Sequence, residues 1–152
     1  MEKISSFTVN HLVLQKGIYI SRIDGDIITY DIRMCKPNAG LYLENAALHT
    51  FEHLFATFAR NSPLSGNVVY VGPMGCRTGF YLLVRGITHE QAIALVQQSF
   101  AFIRDYDGLI PGASEIECGN YLDHDLAGAK RYAAEMCDVL SGYTVQRLHY
   151  TE

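Results

Sequence analysis

Tryptophan is absent from the 152 residues, and cysteine and proline occur only four times each. No apolar run approaches the roughly 18 residues of a membrane-spanning helix. Met1-Glu2-Lys3-Ile4-Ser5-Ser6 lacks the continuous apolar stretch of a secretion signal. Charged residues make up 18 % of the chain, the formal charge is −4, and no basic cluster stands out. Such a balance argues against a polyanion-binding face, so neither nucleic acid nor a membrane is an expected partner. Cys35, Cys76, Cys118 and Cys137 are too few for a disulfide-stapled secreted domain, and free or metal-bound thiols suit a reducing compartment. These absences lead us to expect a soluble, cytoplasmic protein with one domain spanning residues 1–152.

What is present centres on His49-Thr50-Phe51-Glu52-His53. At 3.6 residues per turn, two histidines four apart lie one above the other on a helix, a spacing that lets both imidazoles reach one metal ion. Glu52 falls between them in angle, where its carboxylate reaches a metal-bound water or substrate without being a ligand. H-x-x-E-H is therefore read as a metal-plus-general-base device. The surrounding pattern predicts a helix over 45–61. Leu48, Phe51, Phe55, Phe58 and Ala59 form its apolar arc, and His49, Glu52, His53, Ala56 and Arg60 a separate stripe.

Elsewhere, alternating β-favouring residues at 18–20 and 27–34 flank Asp24-Gly25 and predict a hairpin. Strands are expected at 68–71 and 80–84 around Gly72-Pro73-Met74-Gly75. Thr88 and Gln91 form a capping box opening a helix to about Arg104, and a third helix is expected over 125–140 with Gly142 as its stop. Strand pairs interrupted by helices with one-sided apolar patterns indicate an α+β fold, with helices packed on one face of a mostly antiparallel sheet.

Two histidines leave a coordination sphere open, and a third ligand must come from a distant segment. Cys118, in the polar loop Glu117-Cys118-Gly119-Asn120, is the best candidate, because no apolar periodicity around it explains a packed thiol. Cys137 reads as a buried helical thiol, and Cys35 is ambiguous. Cys76 sits in the rigid turn Pro73-Met74-Gly75-Cys76-Arg77-Thr78-Gly79, where turn amides and Arg77 favour a thiolate that can act as nucleophile or as acid/base. His89 is read as exposed, His149 as without a role, and His124 as structural support around the Cys118 loop.

Taken together, His49-x-x-Glu52-His53, the segment Pro73 to Gly79 and Cys118-Gly119 resemble the S-ribosylhomocysteine lyases, the LuxS proteins. Ser6-Phe7 with His11, Asp31-Ile32-Arg33 with Cys35 and Pro37-Asn38, and His124-Asp125-Leu126 with Gly128-Ala129 follow in the same order. The resemblance implies a LuxS-type α+β fold, related to MPP-like metallohydrolases, in a homodimer with active sites at the subunit interface. It implies one divalent metal per subunit on His49, His53 and Cys118, with Fe(II) first and Zn(II) or Co(II) compatible with the same donors. It also implies Glu52 and Cys76 as the acid/base pair, and substrate contacts at Ser6, Phe7, His11 and Arg33.

The implied substrate is S-ribosylhomocysteine, cleaved to homocysteine and 4,5-dihydroxy-2,3-pentanedione, the autoinducer-2 precursor of quorum sensing. The sulfur is on C5, far from the C1 aldehyde, so the carbonyl must migrate to C3 before the C4 proton becomes acidic and the thiolate can leave. That chemistry calls for a Lewis acid and two proton carriers, with Arg33 as a bidentate holder of the homocysteine carboxylate. The chain departs from the family pattern at Tyr70-Val71-Gly72, where Asp-Ile-Ser is usual, and at Asn10 and Met34. Two alternatives stand beside the lyase: an H-x-x-E-H metallopeptidase, and a metal-binding homologue with altered catalysis.

Overall fold

Strand β1 (Gly17–Asp24) and strand β2 (Ile27–Arg33) form a hairpin whose tight turn contains Gly25 at φ +61°. That left-handed conformation is readily open to glycine, which is why Asp-Gly marks the turn in the sequence. Residues 1–151 are described by the structure, a computed structural model. Strands β3 (Val68–Pro73) and β4 (Gly79–Arg85) complete an antiparallel sheet of order β1-β2-β4-β3. Helices α1 (Asn45–Asn61), α2 (His89–Asp105) and α3 (Leu126–Val139) supply the second layer. The architecture is the expected α+β arrangement.

Period-two alternation divides the sheet's two faces. Tyr30 and Ile32 of β2 and Phe80, Leu82 and Val84 of β4 point into the core, against Phe51 and Phe55 of α1 and Phe100 of α2. The four phenylalanines interlock: Phe51 and Phe55 lie 4.9 and 5.2 Å from Phe100, and Phe51 lies 5.2 Å from Phe80. At these centroid distances aromatic pairs add to the free energy of burial. Packing of α1 on this cluster fixes which of its faces is left for chemistry.

Several local expectations hold. Thr88 and Gln91 form the capping box at the start of α2, and Asp125 caps α3 by accepting from the N–H of Gly128. Others need correction. The buried arc of α1 runs through Ala47, Thr50, Phe51, Leu54, Phe55 and Ala59, while Leu48 and Phe58 are only half-buried. The apolar centre is thus rotated toward Leu54. Cys137 is half-buried rather than buried. His89 is half-buried, and its Nδ1 lies 2.6 Å from the hydroxyl of the wholly buried Tyr30. A buried phenol needs a partner, and His89 provides it.

The opposite face of the sheet also holds a buried element. Asp31 and Arg33, neighbours on one side of β2, are almost completely buried. The segment after α3 folds back over them: Tyr150 stacks on Tyr19 at 5.0 Å and its hydroxyl donates to Asp31. Tyr143 secures the same return, its hydroxyl accepting from the N–H of Ile18 and donating to the Ile18 carbonyl.

Candidate metal centre and thiol pocket

Helix α1 turns Phe51, Leu54 and Phe55 inward, leaving His49, Glu52 and His53 half-buried at one edge of the helix layer. The connection between α2 and α3 closes over that edge, and its attachment begins at the start of α3. The N–H of Asp125 donates both to the Ala46 carbonyl and to Thr50 Oγ1, pinning the loop to α1. Gly128 allows the close approach, because a Cβ there would press against Ala47. This docking carries Cys118 to the histidines. Cys118 Sγ lies 3.4 Å from His49 Nε2 and 4.0 Å from His53 Nε2.

Those separations suit one cation. Tetrahedral bonds of about 2.05 Å to nitrogen and 2.3 Å to sulfur give an N···S edge of about 3.6 Å, between the two observed values. Each imidazole is oriented by a carbonyl: His49 Nδ1 donates to Asp123 O and His53 Nδ1 to Pro111 O, both at 2.8 Å. Nδ1 must then carry the hydrogen, which leaves a bare Nε2 lone pair for the centre. The N–H of Asn120 points at Cys118 Sγ from 3.4 Å, a donor suited to an anionic sulfur. His49, His53 and Cys118 thus form a donor set that can hold a divalent metal, and Glu52 occupies the half-buried helix position between the two histidines.

The cluster has a fourth member, His124, expected only as structural support. Ligand-type atoms of His49, His53, Cys118 and His124 all lie within 4.8 Å of one another. His124 stacks on His49 with centroids 4.0 Å apart. Burial, and then the neighbouring His49 and His53, hold its pKa below the usual histidine value. The usable signal was its place in the Cys118 loop, just ahead of the Asp125 cap.

A separate pocket gathers the other predicted residues. Ser6, Phe7, His11, Arg33 and Cys76 line one cavity, together with Asp31, Tyr81 and Tyr150. None of the four cluster residues lines it. Arg33 Nε and Nη2 donate to the two carboxylate oxygens of Asp31 at 3.1 and 2.6 Å, and Nη1 donates to Thr78 Oγ1 at 2.8 Å. Its bidentate face is thus directed at Asp31. Thr78 Oγ1 is in turn 3.0 Å from Cys76 Sγ, so the cation linked to this thiol is Arg33. Arg77, expected in that role, instead donates to the Leu43 carbonyl and lies over the Tyr42 ring.

The unusual residues on β3 explain one another. Tyr70 and Gly72 share a face of the strand, and the Tyr70 ring covers the place a Cβ on Gly72 would occupy. A side chain at 72 and this tyrosine conformation exclude each other.

An α+β chain with a His2Cys donor set able to hold a metal and, apart from it, a thiol-lined pocket has the layout of an enzyme. Comparison with known proteins gives the family. The model of the S-ribosylhomocysteinase (LuxS) family matches residues 4–145. The chain is 47 % identical to the S-ribosylhomocysteine lyase of Clostridium acetobutylicum, with all of both chains covered. It is also 47 % identical to that of Phocaeicola vulgatus, over 99 % of this chain and 98 % of the relative. The enzyme of the same name from Borrelia garinii is 44 % identical over 99 % of each. This chain belongs to the S-ribosylhomocysteinase (LuxS) family.

Proposed function

We propose that this protein, as a single metalloenzyme domain, cleaves S-ribosyl-L-homocysteine to L-homocysteine and 4,5-dihydroxy-2,3-pentanedione. The observation that carries the reading is the convergence of Cys118 Sγ on His49 and His53, in a chain of this family. His49, His53 and Cys118 hold one divalent ion, Fe(II) by preference, with Zn(II) or Co(II) suited to the same atoms. When bound, such an ion polarises sugar oxygens and acidifies the neighbouring C–H bonds.

Glu52 and Cys76 carry the protons. Each removes a proton from one sugar carbon and returns one to the next, moving the carbonyl from C1 to C2 and then to C3. Removal of the C4 proton then expels the homocysteine sulfur from C5 as a thiolate, which takes up a proton. Atoms balance without water or a redox partner. Ser6, Phe7, His11 and Arg33 enclose the substrate around Cys76. With the Arg33 fork directed at Asp31, its remaining N–H groups are the ones available to a substrate oxygen.

The cluster and the Cys76 pocket do not share lining residues within one protomer, which supports a homodimer whose interface brings the half-sites together. Phe7 and Leu12 near the N-terminus and Leu109, Ile116 and Leu122 in the α2–α3 loop are exposed apolar side chains suited to such an interface. Sedimentation equilibrium should give twice the chain mass, and a monomer with full activity would refute the shared site. Free cysteines fit a cytoplasmic setting. No helix among the described residues is long and apolar enough to cross a membrane.

Release of free thiol from S-ribosylhomocysteine by anaerobically prepared, metal-loaded protein tests the activity. Failure to release homocysteine at micromolar enzyme would refute the lyase and favour a metal-binding homologue with altered catalysis.

A further inference from the structure

Three imidazoles meet in the cluster, and their Nδ1 partners are not alike. Carbonyls only accept, so Asp123 O and Pro111 O require hydrogen on Nδ1 of His49 and His53. His124 Nδ1 faces a hydroxyl instead, Thr50 Oγ1 at 2.9 Å. That oxygen already accepts the N–H of Asp125 at 2.9 Å, and Thr50 is wholly buried. Among the described residues, His124 Nδ1 is the one acceptor positioned for the Thr50 hydroxyl hydrogen. Thr50 therefore donates, Nδ1 accepts, and the neutral ring carries its hydrogen on Nε2, the reverse of His49 and His53.

The Nε2 atom of His124 is also the one buried side-chain nitrogen or oxygen without a partner among the described residues. Leaving such a donor unpaired costs about 1–3 kcal/mol, and His124 is one of the four side chains of the ligand-type cluster. Ring geometry gives a second reason against ligation. His124 lies only 20° from parallel to His49 at 4.0 Å, and two nearly parallel stacked rings do not aim their in-plane lone pairs at one ion.

We propose that His124 is a hydrogen-bond donor and not a fourth metal ligand. Thr50, as a positioning residue, sets its tautomer so that Nε2–H meets the substrate oxygen held by the His49–His53–Cys118 centre. The assignment rests on the metal-centre reading above. A donor fixed beside an oxygen that gains negative charge as protons migrate stabilises that charge without reorganising.

Long-range 1H–15N spectra of zinc-loaded protein read the three tautomers directly. His124 should carry its hydrogen on Nε2, and His49 and His53 on Nδ1. Hydrogen on Nδ1 of His124, or a zinc-shifted His124 Nε2, would overturn the proposal. Thr50→Val should release the tautomer preference and Thr50→Ser restore it; an unchanged His124 signal in Thr50→Val would contradict the role of the hydroxyl. His124→Ala should keep one equivalent of zinc while kcat/KM falls roughly 10²-fold, and loss of the zinc would instead make His124 a ligand. If unaltered protein binds no zinc, the metal-centre reading fails, and the tautomer measured without metal still decides the Thr50 assignment.

Discussion

Cys118 Sγ and His49 Nε2 lie 3.4 Å apart although 69 residues separate them in the chain. A thiol so placed is not explained by core packing, since Cys118 is half-buried in a turn-rich loop. The loop is held by its own contacts: the N–H of Cys118 donates to Ser114 O, and that of Asp125 to Ala46 O. Binding of a metal to the folded form alone would stabilise that arrangement further by mass action.

Glu52→Gln should retain the metal and lose turnover. Glutamine keeps the size of the side chain but cannot accept a proton, so kcat should fall by roughly 10²-fold or more. Metal content measured alongside the thiol-release assay checks this, and near-normal kcat would remove Glu52 from the mechanism.

Arg33→Ala should destabilise the fold as well as the site. It leaves the buried Asp31 without its ion-pair partner, a loss of roughly 3–5 kcal/mol. Denaturant unfolding should show this as a lower midpoint, whereas an unchanged midpoint would mean Asp31 is held by Tyr150 alone. Arg33→Lys should recover only part, because an ammonium cannot reproduce the forked pair.

Gly72→Ser should be destabilising in this chain and much better tolerated once Tyr70 is also changed to Asp. The serine side chain needs the space the Tyr70 ring covers. A double-mutant cycle should give a coupling of roughly 1 kcal/mol or more; strict additivity would show that the ring moves aside freely.

Stability should fall as pH rises through about 10 to 12. Burial, the leading cause in each case, raises the phenols of Tyr19, Tyr30, Tyr81, Tyr143 and Tyr150, with Tyr30 reaching about 12. Above the unfolded tyrosine value near 10 the folded chain holds more protons than the unfolded one, so stability present in full below that pH is lost across the window. Tyr30 alone accounts for about 2–3 kcal/mol. Chemical unfolding at pH 8 and pH 11 measures the loss, and Tyr30→Phe should reduce it.

Much of this arrangement was legible in the sequence because local chemistry specified it. The Asp24-Gly25 turn, the Thr88–Gln91 box and the His49/His53 spacing each act within a few residues. Cys118 stood out through its setting, a thiol in a polar glycine-containing loop. What escaped depends on contacts between distant segments. His89 binds a phenol 59 residues away, and His124 reaches Thr50 across 74. The burial of the Asp31–Arg33 pair escaped for another reason: β2 alternation reads as one buried face, while the Tyr150 segment buries the second.

Anomalous X-ray scattering from crystals grown anaerobically with metal tests the central claim most directly. The account predicts one peak per protomer, bonded at about 2.0–2.3 Å to His49 Nε2, His53 Nε2 and Cys118 Sγ, and no such peak in Cys118→Ala. A peak bonded to other residues, or one that persists undiminished in Cys118→Ala, would contradict it.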